Sequence, residues 1–152
     1  MPNELLDVVN DDDTVTAQEM RSFVHQIGLQ HRGVHVFLFN ETGEMLVQKR
    51  SADRTNSPSL WDCSVSEHVK AGESELDAAI RGMNEEMGVR GIGIDPVVKF
   101  RMNYGLNDNE ISTVYKGPVD PLQVRFDPVE IENIYYFSLD EMIGSPVAGL
   151  IG

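Results

Sequence analysis

An α+β sandwich on a mixed sheet is the fold class this sequence predicts, and three observations carry it. Strand-like segments come first, one amphipathic helix stands at the centre, and more strands and a short helix follow. The helix shows a 3.6-residue apolar period, whereas its neighbours read as short apolar runs bounded by Asn, Asp, Gly and Pro. At 152 residues the chain is long enough for one domain with a real core.

In chain order, residues 4–10 read as a strand and the acidic run 11–13 as a turn. Thr16-Ala17-Gln18-Glu19 fits a capping box, which predicts a helix from about Ala17 to His25, stopped by Gly28. Residues 34–39 and 45–50 read as paired strands across a hairpin signal at 40–43. Residues 51–60, with Pro58, read as a loop, and 61–66 as a strand running into the central helix. On that helix Leu76, Ile80, Met83 and Met87 fall on one face, and the spacing predicts Leu76, Ile80 and Met83 packed inward. Asp77, Arg81 and Glu85 form a second row, and Gly88 is the stop. Residues 92–94, 97–104, 111–115 and 131–137 read as strands, with a turn at 105–109 and a proline-bearing loop at 118–128. A helix begins near 139–143. No repeat, low-complexity tract or linker divides 1–152, so a single domain is expected.

The net charge of -13 argues against an electrostatic grip on nucleic acid or on an anionic membrane. It also means that a phosphate-bearing ligand is repelled unless cations screen the site, although acidity equally serves solubility. Cys63 is the single cysteine and cannot form an internal disulfide, which fits a reducing, cytoplasmic setting. The N-terminus is acidic, and no apolar run reaches the roughly 18 residues of a membrane span.

Glu85 and Glu86 sit side by side at the end of the central helix. Carboxylates there oppose the helix dipole, at a cost of a few tenths to about 1 kcal/mol each. A bound cation explains them better than helix stability does, and Mg²⁺ or Mn²⁺ takes oxygen ligands and serves diphosphate chemistry. A solvated acidic face would give the same spacing, and spacing alone does not separate the two.

The stretch from Glu67 to Val89 resembles the Nudix box, G-x5-E-x7-R-E-U-x-E-E-x-G-U with U aliphatic. Glu73, Arg81, Met83, Glu85, Glu86, Gly88 and Val89 fall on its positions. Glu67 stands where the first glycine belongs, and Gly82 where the Glu after Arg belongs. The resemblance implies an α/β/α sandwich, metal ligation by Glu85 and Glu86, and a Glu73–Arg81 pair that fixes the loop onto the helix. In the family, the Glu missing at 82 ligates metal and helps activate water.

A longer stretch, LLDVVNDDD followed by HRGVHVFLFNETGEMLVQKRS, is similar to the Nudix branch that holds type I isopentenyl diphosphate isomerase and hydrolase-like relatives. That isomerase uses a His-rich metal site, a cysteine and an acidic residue, with a second divalent ion on the diphosphate. His31 and His68 fall on ligand positions, His25 more loosely, and Asp108 and Glu110 fall on its acidic pair. The cysteine position holds Ser66. Strand alternation predicts Cys63 on the face opposite Ser66. A serine hydroxyl is a far weaker proton carrier than a thiol of pKa about 8.5, which ranks the isomerase second. His35 reads as a core or wall residue, His25 as a favourable helix end, and Trp61 as a packing anchor.

The expected function is a Mg²⁺- or Mn²⁺-dependent hydrolase of a small-molecule diphosphate linked to another group, with a homodimer left open. Glu85, Glu86 and Glu110 are the expected catalytic groups. Glu85, Glu86, Glu110, His31 and His68 are the expected metal ligands. Glu73 and Arg81 support the loop, and Lys49, Arg50 and Arg32 are the expected phosphate contacts. A third reading is a Nudix-fold protein that binds a diphosphate without turning it over, motivated by Gly82.

Overall fold

The structure, a computed structural model, describes residues 3–51 and 60–143. Most of the loop expected at 51–60, Pro58 included, lies outside the described residues. Nine strands form one mixed sheet. The order is β1 (Leu5–Val9), β2 (Val15–Met20), α1 (Arg21–Ile27), β3 (His31–Phe39), β4 (Met45–Arg50), β5 (Trp61–Asp62), β6 (Val65–His68), α2 (Glu75–Met87), β7 (Asp95–Asn103), β8 (Asn109–Pro118), β9 (Ile131–Phe137) and α3 (Leu139–Met142). The expected α+β class is therefore the observed one.

β3 is the centre of the sheet. β8 runs parallel to it from the His31↔Glu110 pair to Phe39↔Pro118. β6 runs antiparallel on its other side, with Gly33↔His68 and His35↔Ser66 in register. Alternation then divides β3 into two faces. Val34, Val36 and Leu38 are fully buried and pack with Val65, Ala78, Ala79, Met83 and Met87 into the main core. His31, Gly33, His35, Phe37 and Phe39 fall on the other face.

The box helix α2 is capped by Ser74, whose hydroxyl accepts the Asp77 N–H at 3.1 Å, and ends at Gly88 in the left-handed region, φ 64. Its inward stripe differs from the expected one. Met83 and Met87 are buried, but Leu76 and Ile80 are 44% and 47% exposed. Ala78, Ala79 and Gly82 lie under the helix instead. Small residues let the helix sit close on the sheet, which turns the stripe toward them and leaves Leu76 and Ile80 at its margin.

Three further expectations are corrected. The capping-box segment is strand: residues 15–20 pair with β1, and α1 begins only at Arg21, after Met20. Ladder hydrogen bonds to β1, with Thr16 Oγ1 donating to the Val8 carbonyl, outweigh the local capping signal. Residues 92–94 form no strand, and β7 starts at Asp95. The strand expected over 61–66 is broken at Cys63 and Ser64, where the Ser64 hydroxyl accepts the Leu38 N–H and donates to the Leu46 carbonyl. Trp61 packs against Tyr135 and Phe137, at ring separations of 5.0 and 6.0 Å.

Candidate active site

The polar face of β3 floors a cleft of about 1650 Å³. Pairing fixes the floor: β8 places Glu110 beside His31 and Ser112 beside Gly33, while β6 places His68 beside Gly33 and Ser66 beside His35. Glycine at 33 makes room for the Glu110 carboxylate, which a Cβ there would displace. α1, ended by Gly28 at φ 78, brings His25 over the same end.

His25, His31 and His68 form a cluster. Their rings stand 5.0 to 5.3 Å apart, and one ring nitrogen from each lies within 4.8 Å of the others. His31 Nδ1 lies 3.2 Å from the Leu29 carbonyl, which assigns the proton to Nδ1 and leaves Nε2 as the lone-pair nitrogen. That Nε2 is buried and has no hydrogen-bond partner among the described residues. Asp108 Oδ1 is 3.7 Å and Glu110 Oε1 3.8 Å from it. His68 Nδ1 is 3.5 Å from Glu4 Oε1. Burial, then the neighbouring imidazoles, push His25 down, and burial and His68 push His31 down, keeping both neutral. Neutral imidazoles, an orphaned buried nitrogen and flanking carboxylates suit a divalent metal with mixed nitrogen and oxygen ligands.

The second group is a chain of hydrogen bonds. His35 Nε2 is 2.9 Å from Glu110 Oε2 and its Nδ1 3.0 Å from Ser66 Oγ. Ser66 donates to Asp62 Oδ1 at 3.0 Å and lies 3.2 Å from Cys63 Sγ. Cys63 therefore does not point away from Ser66. The break between β5 and β6 cancels the alternation that predicted it, and Cys63 Sγ folds back to the Val65 carbonyl at 3.2 Å. His35 lines the cleft, as a wall residue does, and it also joins Glu110 to Ser66. Burial disfavours its charge, but Cys63 and Glu110 overcome that and raise it well above 6.5. Burial lifts Glu110, yet His35 outweighs it and Glu110 titrates below its ordinary value. Ser112 also donates to Glu110, and Tyr104 Oη lies 2.7 Å from Ser112 Oγ.

The third group comes from the box. Arg81 holds both Glu73 oxygens at 3.0 Å and donates to the His68 carbonyl at 2.8 Å, which ties the loop to helix and strand. Glu86 lines the cleft and accepts from Gln48 Nε2 at 3.0 Å. Burial, then the charge of Glu67, lifts Glu86 well above the usual carboxylate range. Glu85 lines the rim with a 54% exposed side chain, 3.5 Å from Arg81.

The three cations expected on phosphate lie apart. Arg50 lines the cleft beside Asp62, at 3.4 Å. Lys49 lies over the Trp61 ring and near Glu132. Arg32 points from the core-side face of β3 to Asp13 at 2.7 Å and toward Glu75, so alternation takes it away from His31. Glu4 and Gln48 were not legible as site residues, because only strand pairing across long sequence separations brings them in.

A box helix against a mixed sheet, with a cleft lined by its carboxylates and by imidazoles, defines a Nudix-type domain. The chain belongs to that family, whose model, the NUDIX domain, matches residues 29–149. It is 30% identical over 146 residues to an isopentenyl-diphosphate Delta-isomerase of Pectobacterium atrosepticum, over 93% of this chain and 80% of that one. It is 35% identical over 124 residues to an uncharacterized Nudix hydrolase of Streptomyces coelicolor, over 78% and 68% of the two chains. Among solved structures it is similar to DR0079 from Deinococcus radiodurans, with TM-score 0.81 and 26% identity over 97% of this chain and 91% of that one. No helix among the described residues is long and apolar enough to cross a membrane.

Proposed function

We propose that this protein is a divalent-metal-dependent hydrolase that cleaves a diphosphate joined to a partly apolar group. The observation that carries the reading is Glu86, a cleft-lining carboxylate on the box helix, held by Gln48 and lifted toward neutrality by burial and Glu67. A carboxylate so placed suits a group that holds a metal or accepts a proton from water. Bound Mg²⁺ or Mn²⁺ would neutralise diphosphate oxygens and acidify a water. Glu85 and Glu86 on the helix, and His31, His68 and Glu110 on the sheet, are the groups that would hold metal. Arg50 offers a cation for a phosphate oxygen on the same wall. Val97, Val98, Phe100, Met102 and Leu106 give the cleft an apolar side where the second moiety would lie.

A specific observation also favours a second reading, isomerisation of isopentenyl diphosphate. The imidazole cluster beside Glu110 resembles an isomerase-like metal site, and His35, raised above its ordinary value by Cys63 and Glu110 against its burial, reaches Ser66. Ser66 itself, already donating to Asp62, is a poor proton carrier, which keeps hydrolysis first.

Phosphorus NMR of nucleoside diphosphate derivatives and of isopentenyl diphosphate, with Mg²⁺ or Mn²⁺, tests both. The expected outcome is slow or selective phosphate release, abolished by chelator and lowered at least about tenfold by Glu86→Gln. Turnover in excess chelator would count against it. Interconversion of isopentenyl and dimethylallyl diphosphate faster than about 1 s⁻¹ would reverse the ranking.

A further inference from the structure

The two departures from the box touch each other. A Cβ on Gly82 would lie 2.8 Å from Val65 Cγ1 and 3.3 Å from Glu67 Cβ. The space that a side chain at 82 would need is thus filled by Val65 and by the stem of Glu67. A side chain at 82 would have to displace Val65 and would crowd the stem of Glu67, so glycine at 82 goes with the Glu67 arrangement.

We propose that Glu67 supplies from β6 the metal-binding carboxylate that α2 lacks at Gly82, so that Glu67, Glu86 and Gln48 Oε1 form an oxygen seat for a divalent cation separate from the imidazole cluster. The inference rests on the metal-dependent reading above. The Glu67 side chain is only 6% exposed, yet it lines the cleft. Its carboxylate makes no hydrogen bond among the described residues. Its nearest cation is Arg81 Nη1 at 3.5 Å, and Arg81 is already committed to Glu73 and to the His68 carbonyl. Those bonds use Nε and Nη2, while Nη1 is shared between Glu67 and Glu85, both at 3.5 Å, so this long ion pair holds Glu67 only in part.

Gln48 supplies the independent observation. It is 1% exposed, and its Nε2 donates to Glu86 at 3.0 Å and to the Ser64 carbonyl at 3.2 Å. Its Oε1, on the same amide, is buried without a partner among the described residues. A buried amide oxygen left unpaired on a side chain that contacts Glu86 is a donor that hard cations take. The charges of Glu67 and Glu86 also oppose each other, which a divalent ion held by both would relieve.

Mn²⁺ titration followed by the EPR signal of free Mn²⁺ tests the seat. A His31→Gln parent, which removes one nitrogen donor of the imidazole cluster, isolates it. The expected result is that Glu67→Gln, isosteric and folded by circular dichroism, weakens Mn²⁺ binding about tenfold or more. The exchange Glu67→Gly with Gly82→Glu, made with Val65→Ala to clear the 2.8 Å contact, should then restore binding to within about threefold of the parent, well inside the ligand-loss range. Parent-like binding by Glu67→Gln, or a folded exchange variant that fails to bind, would overturn the proposal. If Glu86→Gln loses binding while Glu67→Gln keeps it, the proposal fails and the hydrolase reading stands. A parent that binds no Mn²⁺ defeats the proposal, and chelator-sensitive turnover by the wild type then decides the hydrolase reading separately.

Discussion

His35 and Glu110 show how one ion pair sets both charge and pH response. His35 is raised above its ordinary 6.5, so its contribution to stability is complete below 6.5 and is lost as pH rises through its folded value. Glu110 is lowered from 4.5, so its contribution is complete above 4.5 and is lost as pH falls through its folded value. Both act together between those limits. The melting-temperature gap between wild type and His35→Gln should be widest near pH 5 to 6 and shrink toward alkaline pH, as measured by scanning fluorimetry; a gap flat across that range would contradict the pair. At this scale the motif residues were legible, since His31, His68, Glu85 and Glu86 sit at fixed spacings. His35 was not. Both faces of β3 carry apolar residues, Val34, Val36 and Leu38 on one and Phe37 and Phe39 on the other. Only parallel pairing with β8 reveals which side meets Glu110.

Helix α2 teaches a different lesson. Its periodicity announced the helix and its ends, yet the apolar count pointed the stripe at Leu76 and Ile80. The sheet selects the small residues instead, because close approach under Val34 and Val65 brings Met83 and Met87 into the core. Met83→Ala should cost about 2–5 kcal/mol, as a buried large-to-small change does. Ile80→Ala, at a half-exposed position, should cost about 1 kcal/mol or less. Urea denaturation of the two variants compares them directly, and equal losses would restore the stripe read from sequence. β2 and the β5–β6 break failed to show in sequence for a related reason. Partners outside the segment itself, the hairpin neighbour Leu5–Val9 for one and Leu38 and Leu46 for the other, override local capping and alternation.

Across the whole molecule, the succession of strands and helices was readable, whereas the pairings β3–β8 and β4–β9 that assemble the cleft join segments too far apart in the chain for periodicity to report. An excess of acid, -13 overall, surrounds a cleft meant by our reading for an anion, so positive charge must be brought in with the ligand or its metal. The two faces of β3 carry a last consequence. Foldability and chemistry are written on alternate letters of one strand. In a saturation scan, positions 34, 36 and 38 should fail a protease-survival assay, while 31 and 35 lose turnover well before they lose protease survival. Gly33 should lose turnover, since a side chain there displaces the Glu110 carboxylate. A one-residue insertion in β3 would exchange the two readings at a stroke.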